Sequence, residues 1–168
     1  MISPVAIIEE FVDSHDLESL RERGAHGEER FFITLPGEKK LKTLCALIVG
    51  ERAVNISAFV IRRPEENVAK VHEWMLQKNS EITPQSGVAF AVNDLGDIFL
   101  LGRLPIQSVN EIEIDRVLGA ILQIADSSFN SLIELGFAQS VQREAAWRIS
   151  RGESLEHLKA FDWVKIEP

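Results

Sequence analysis

The sequence predicts an α+β domain built on an antiparallel sheet of about five strands, with helices before, within and after the run of strands. Three observations carry that reading. The apolar period changes from helical to strand-like at Phe31, Asn93-Asp94-Leu95-Gly96 stands between two short apolar runs as a hairpin turn, and the apolar positions from Ile114 to Ile133 hold one helical phase. A chain of 168 residues removes roughly 70% of its unfolded surface from water on folding. Residues 1–168 therefore make a single domain whose core needs no staples.

The first helix is announced by Val5, Ile7, Ile8, Phe11 and Val12 and should end near His15. Residues 16–30 are charged, contain Gly24 and Gly27 and show no sustained period, so they read as a mobile acidic connector. Residues 31–35, 41–49 and 53–61 then form a meander, with turns at Pro36-Gly37 and Gly50-Glu51. Pro64 suits the first turn of a second helix, whose inward face carries Val68, Val71, Met75 and Leu76 and which should end near Asn79.

Residues 88–92 and 97–101 are the hairpin. Ser108 with Glu111 is a capping box opening the next helix, which is one long helix bent at residues 126–128 or two nearly collinear ones, with Gly136 as its stop. Residues 138–150 form a further helix with Val141, Ala145 and Ile149 inward, and Ser154 caps a last turn. Residues 137–168 are a C-terminal helical extension, and the element order is α-β-β-β-α-β-β-α-α.

Composition narrows the function classes. The hydrophobic content of 45% with 26% charged residues is that of an ordinary globular protein, and the apolar runs are far shorter than the ~20 residues that span a bilayer. No membrane partner and no export signal are expected, and the single Cys45, inside an apolar run, fits a reducing cytoplasm. Residues 1–30 carry −5 of the net charge of −8, which works against a phosphate-binding basic surface. Nucleic acid is therefore not an expected partner.

Three stretches carry a family resemblance: Ala58-Phe-Val-Ile-Arg-Arg-Pro-Glu-Glu-Asn67, Gly87-Val-Ala-Phe-Ala-Val-Asn-Asp-Leu-Gly-Asp-Ile-Phe-Leu-Leu-Gly102, and the run from Phe129 through Glu134-Leu-Gly-Phe137 to Arg143-Glu-Ala-Ala-Trp-Arg-Ile-Ser-Arg-Gly-Glu153. The chain resembles the YbjN-domain proteins over residues 30–160, in particular the actinobacterial group. The resemblance implies a fold similar to type III secretion chaperones: a curved antiparallel sheet with helices packed on one face, often dimeric. The family is described as a sensory-transduction regulator, a description that brings no catalytic residue with it.

The residues themselves show no catalytic motif and no metal or cofactor site. His15, His26, His72 and His157 are scattered, there is no Cys-x-x-Cys or Gly-x-Ser-x-Gly, and no glycine loop cradles a phosphate. His72 falls on the inward face of its helix, where a satisfied, partly buried histidine is expected. Asn93, Asp94 and Asp97 belong to the hairpin rather than to a calcium loop, whose closing Glu is absent.

Arg62 and Arg63, placed before Pro64 at a helix N-terminus, are candidates for an anion or an acidic partner segment, or else pair with Glu65 and Glu66. On the last long helix, Arg143, Trp147 and Arg151 share the face opposite Val141 and Ala145, with Arg148 beside them. A tryptophan flanked by arginines has the composition of a protein-contact hot spot. Alternatively, residues 155–164 fold back over Trp147. The strand holding Cys45, Ala46 and Ile48 is apolar on both faces, and a partner subunit would cover the second. The expectation is a non-enzymatic protein-binding, chaperone-like or regulatory domain with an unidentified protein partner, forming a homodimer. The competing reading is a sensor or enzyme holding a small anionic ligand at Arg62, Arg63 and Arg103.

Overall fold

The computed structural model describes residues 2–164. Helix α1 (Pro4–Ser14) starts where the Ser3 hydroxyl accepts the Ala6 N–H, with Pro4 in the first turn, and it buries Ile8, Phe11 and Val12. Strands β1 (Ser19–Arg23), β2 (Glu29–Pro36), β3 (Lys42–Val49) and β4 (Ala53–Ile61) form an antiparallel meander. Helix α2 (Val68–Ser86) carries the chain across to the edge strand β5 (Ala89–Val92), and β6 (Ile98–Pro105) returns beside β4. The open sheet has six strands in the order β1-β2-β3-β4-β6-β5.

Strand β1 lies within the stretch read as a mobile acidic connector, and it adds a sixth strand to the expected sheet of about five. All five of its side chains are exposed, so it offers no apolar alternation to read. Backbone pairing holds it, from Ser19 opposite Ile33 to Arg23 opposite Glu29, with Arg21 paired to Glu9 and Glu29.

The helices bury one face of the sheet. Ile33, Cys45, Leu47, Ile56, Ala58, Ile98 and Leu100 meet Ile8 of α1, Val71 of α2 and the long helix α3 (Glu111–Arg151), from which Ile114, Ile121 and Ala125 point inward. Near the end of β4 a bulge at Val60 shifts the register from Phe59 opposite Phe99 to Ile61 opposite Ile98.

Several helix expectations change. Helix α2 begins at Val68 rather than at Pro64, because Asn67 takes a left-handed conformation (φ 52°) and residues 64–67 are committed elsewhere. It also runs past Asn79, tolerating Pro84 in its last turn, and Leu76 faces solvent while Trp74 packs on Phe90. Helix α3 is capped by Asn110, whose side chain accepts the Glu113 N–H, because Ser108 lies in a short 3₁₀ turn. It then continues unbroken for 41 residues, so the two predicted C-terminal helices are one.

Gly136 is not a stop but a contact. A Cβ there would lie 2.9 Å from Pro64 Cβ. The Gly136 carbonyl accepts the N–H groups of Glu65 and Glu66, Asn67 Nδ2 donates to the Leu135 carbonyl, and Glu66 Oε1 accepts the Gln139 N–H. Residues 64–67 thus supply external partners for one turn of α3.

A paired substitution separates packing from propensity. Gly136→Ala should lose about 1–3 kcal/mol through overpacking against Pro64, although alanine is the better helix former. Gly119→Ala, in the same helix with nothing near its Cβ, should gain about 1 kcal/mol. Denaturant melts of the two variants give these opposite signs.

Candidate functional site

The second face of the sheet is half-open. One cross-strand row on it runs Leu20, Phe32, Ala46, Ser57, Leu101, Ala89 through all six strands. On this face Leu20 is 57% exposed, Leu44 52% and Leu101 45%. The face therefore presents a series of large apolar side chains to solvent, gathered around two shallow clefts. Leu20, Phe32 and Leu44 line one of about 420 Å³ beside Glu18 and Glu22; Phe99, Leu101 and Val92 line another of about 340 Å³.

Past the sheet, the last turns of α3 place the predicted cluster. Trp147 is 51% exposed, and the Arg151 guanidinium sits 5.0 Å from its ring centroid. Of the two alternatives for this residue, exposure is the one observed among the described residues. The final segment packs elsewhere: Leu158 is buried, Asn130 donates to the Ala160 carbonyl, and Phe161 leans on Trp163 at 5.7 Å.

Ala145 is buried, but Ile149, expected inward, is exposed. Arg143 donates to the Ser140 hydroxyl. Arg148 turns from the cluster to Glu144 at 2.9 Å and Glu153 at 3.7 Å, and its Nη1 lies 3.5 Å from the Ser154 carbonyl. It closes the turn after the helix rather than standing with Trp147.

The arginine set of the anion reading does not converge. Arg62 pairs with Glu65 at 2.5 Å and lies 4.8 Å over the Phe137 ring. The Arg63 N–H donates to Asp97, and its side-chain stem lies against Gly96. Arg103 stands opposite Asn55, seven residues back along β4 from Arg62 and hence about 23 Å away. Neither Arg62 nor Arg63 reaches a helix N-terminus, since α2 starts at Val68.

What the structure does gather is a cleft at the end of β4, about 360 Å³, between Phe59 to Arg62 and the α3 residues Phe129, Ile133, Phe137 and Val141. Lys40 overlooks it from the β2–β3 turn, which is pinned because Asp126 Oδ1 accepts the N–H groups of Glu38, Lys39 and Lys40 at 2.7–3.0 Å. Lys40 Nζ lies 5.8 Å from the Phe59 ring and 5.7 Å from Phe129. Nothing in sequence signals this assembly, because turn and helix are almost ninety residues apart.

Other candidate chemistry is inert. Asn93 Oδ1 accepts the N–H groups of Leu95 and Asp97, as a hairpin requires. His72 is partly buried as expected, and its Nε2 has no hydrogen-bond partner among the described residues. No group of three His, Cys, Asp or Glu among the described residues could hold a metal ion. Among the described residues no helix is long and apolar enough to cross a membrane.

Burial pushes the Cys45 thiol up to about 12, so it stays protonated through neutral pH and lacks the thiolate needed for nucleophilic attack. A thiol reagent at pH 8 should label Cys45 only after unfolding, as mass spectrometry with and without denaturant would show. Trp147→Ala should change stability by less than about 1 kcal/mol, against the about 3–5 kcal/mol expected of a buried ring. Denaturant melts check it.

Comparison with known proteins agrees with this architecture. Solved structures of similar fold include those of the ExsC–ExsE complex (TM-score 0.55, 14% identity, 75% of this chain and 90% of that one) and the HopA1–SchA chaperone–effector complex (0.53, 10%, 73% and 90%). The Yersinia pestis type III secretion chaperone SycH, in complex with a YscM2 fragment, is another (0.51, 18%, 74% and 98%). At these identities the likeness is one of fold. An uncharacterised protein of Mycobacterium tuberculosis is 48% identical over 129 residues, 77% of this chain and 69% of its own length. One of Mycobacterium leprae is 47% identical over 132 residues, 79% and 70%. The model of the family YbjN, described as "Putative bacterial sensory transduction regulator", matches residues 4–134. With that match spanning most of the chain, the protein belongs to the YbjN family and has a type III secretion chaperone-like fold.

Proposed function

We propose that this protein is a non-enzymatic binding domain that holds an apolar segment of a partner protein on the open face of its sheet, and that it works as a homodimer. The observation that carries the reading is the exposure of Leu20, Leu44 and Leu101 on one face of the sheet. Large contiguous apolar patches are rare on a protein that stays alone. The similar folds solved as complexes with protein partners support it. Trp147 and Arg151, stacked and exposed at the far end of α3, have the composition of a second contact point. Arg143 lies one turn away on the same face.

The test replaces two residues of the face, Leu44→Glu and Leu101→Glu, whose exposure means that folding tolerates the change. Partner proteins captured from a lysate by the wild type should be lost to the double variant at equal thermal stability. Equal capture by both would overturn the assignment. Sedimentation should show dimer at tens of micromolar, well above an ordinary ~1 μM dimer constant; monomer alone at that concentration would remove the homodimer from the proposal.

A further inference from the structure

We propose that the cleft between the end of β4 and the overhanging half of α3 binds a small amphiphilic carboxylate, its apolar body on Phe59, Phe129 and Phe137 and its headgroup on Lys40. The site is separate from the open sheet face and stands independently of that reading.

The apolar requirement follows from the lining. Val60, Ile61, Phe129, Ile133, Phe137 and Val141 surround a space of about 360 Å³, at the low end of small-ligand pockets, so the body is a short chain or one or two rings.

The anionic requirement follows from Lys40. Its ammonium donates to the Lys42 carbonyl at 2.9 Å, and no carboxylate among the described residues lies within 4.0 Å of it. Two of its three donors therefore remain for a ligand. Partial burial against two rings pulls the amine below its usual range, and a bound anion would offset that loss of hydration. The backbone from which the lysine stem springs is fixed by Asp126, and the bond to the Lys42 carbonyl directs the amine.

Charge at the cleft selects a monoanion. The second cation, Arg62, is already matched by Glu65, and Glu144 at the far end is matched by Arg148. One unmatched positive charge beside an apolar floor suits one carboxylate, and a phosphate dianion would bring an excess negative charge towards Glu144.

Calorimetry with octanoate, octanol and acetate tests the two requirements separately. Octanoate should bind saturably at one per chain, octanol should bind more weakly by about tenfold or more, the scale of one charge-assisted hydrogen bond, and acetate should not bind. Lys40→Met keeps the apolar stem and should weaken octanoate by the same factor while leaving octanol unchanged. Leu44→Glu, on the open face, should bind octanoate as the wild type does. Backbone amide shifts on titrating the wild type should fall on residues 59–62 and 129–141, a readout that needs no variant to fold. Absence of saturable octanoate binding, equal affinity for octanol, undiminished binding by Lys40→Met, or shifts mapping to the open sheet face would each overturn the proposal.

Discussion

The docking of residues 64–67 on α3 at Gly136 is the contact on which the upper half of the molecule depends. Helix α3, at 41 residues, is about 62 Å long, whereas the nine residues of β4 extend for about 31 Å. A helix twice as long as the sheet it lies on must run past the end. Its first half is held by apolar burial, with Ile114, Val117, Leu118 and Ile121 in the core. Its second half still buries Leu132 and Phe137, and Pro64 against Gly136 aims it together with the hydrogen bonds of Glu65, Glu66 and Asn67.

Two consequences follow from that overhang. A space opens between the departing helix and the sheet end, and it is bounded on the third side by the β2–β3 turn, held on the same helix by Asp126. Backbone groups donating to a carboxylate contribute more than neutral pairs do, so this clamp fixes the turn from which Lys40 reaches Phe59 and Phe129. The exposed last turns then carry Trp147 and Arg151 away from the body, while Arg148 ties the returning chain back through Glu153.

Much of the fold was legible because most elements bury one face. The alternation of Val54, Ile56 and Ala58 marked β4 as a half-buried strand, and the phase from Ile114 to Ile133 marked α3. Strand β1 was not legible: an edge strand with every side chain in water has no pattern beyond its backbone pairing. Gly136 misled for a related reason. A glycine inside a helical pattern reads as a stop, yet here it is required by the approach of Pro64, a contact that no local signal encodes. The Trp147 face was legible from helical spacing alone, whereas the arginine set failed because proximity on paper ignored the length of β4.

The two edges of the sheet are closed in different ways, and that difference bears on the binding proposed for its face. At β5, Asn79 bonds both the N–H and the carbonyl of Phe90, Thr83 donates to the Val88 carbonyl and Ser86 accepts the Val88 N–H, so α2 covers the ladder groups that another strand would use. At β1, the edge is five residues long and its side chains include Arg21, Glu22 and Arg23, charges that discourage a neutral apolar strand from adding there. Both edges are thus protected against unselective strand pairing while the apolar face between them stays open. The binding proposed for this face would then rest on side-chain fit at Leu20, Leu44 and Leu101 rather than on unselective extension of the hydrogen-bond ladder.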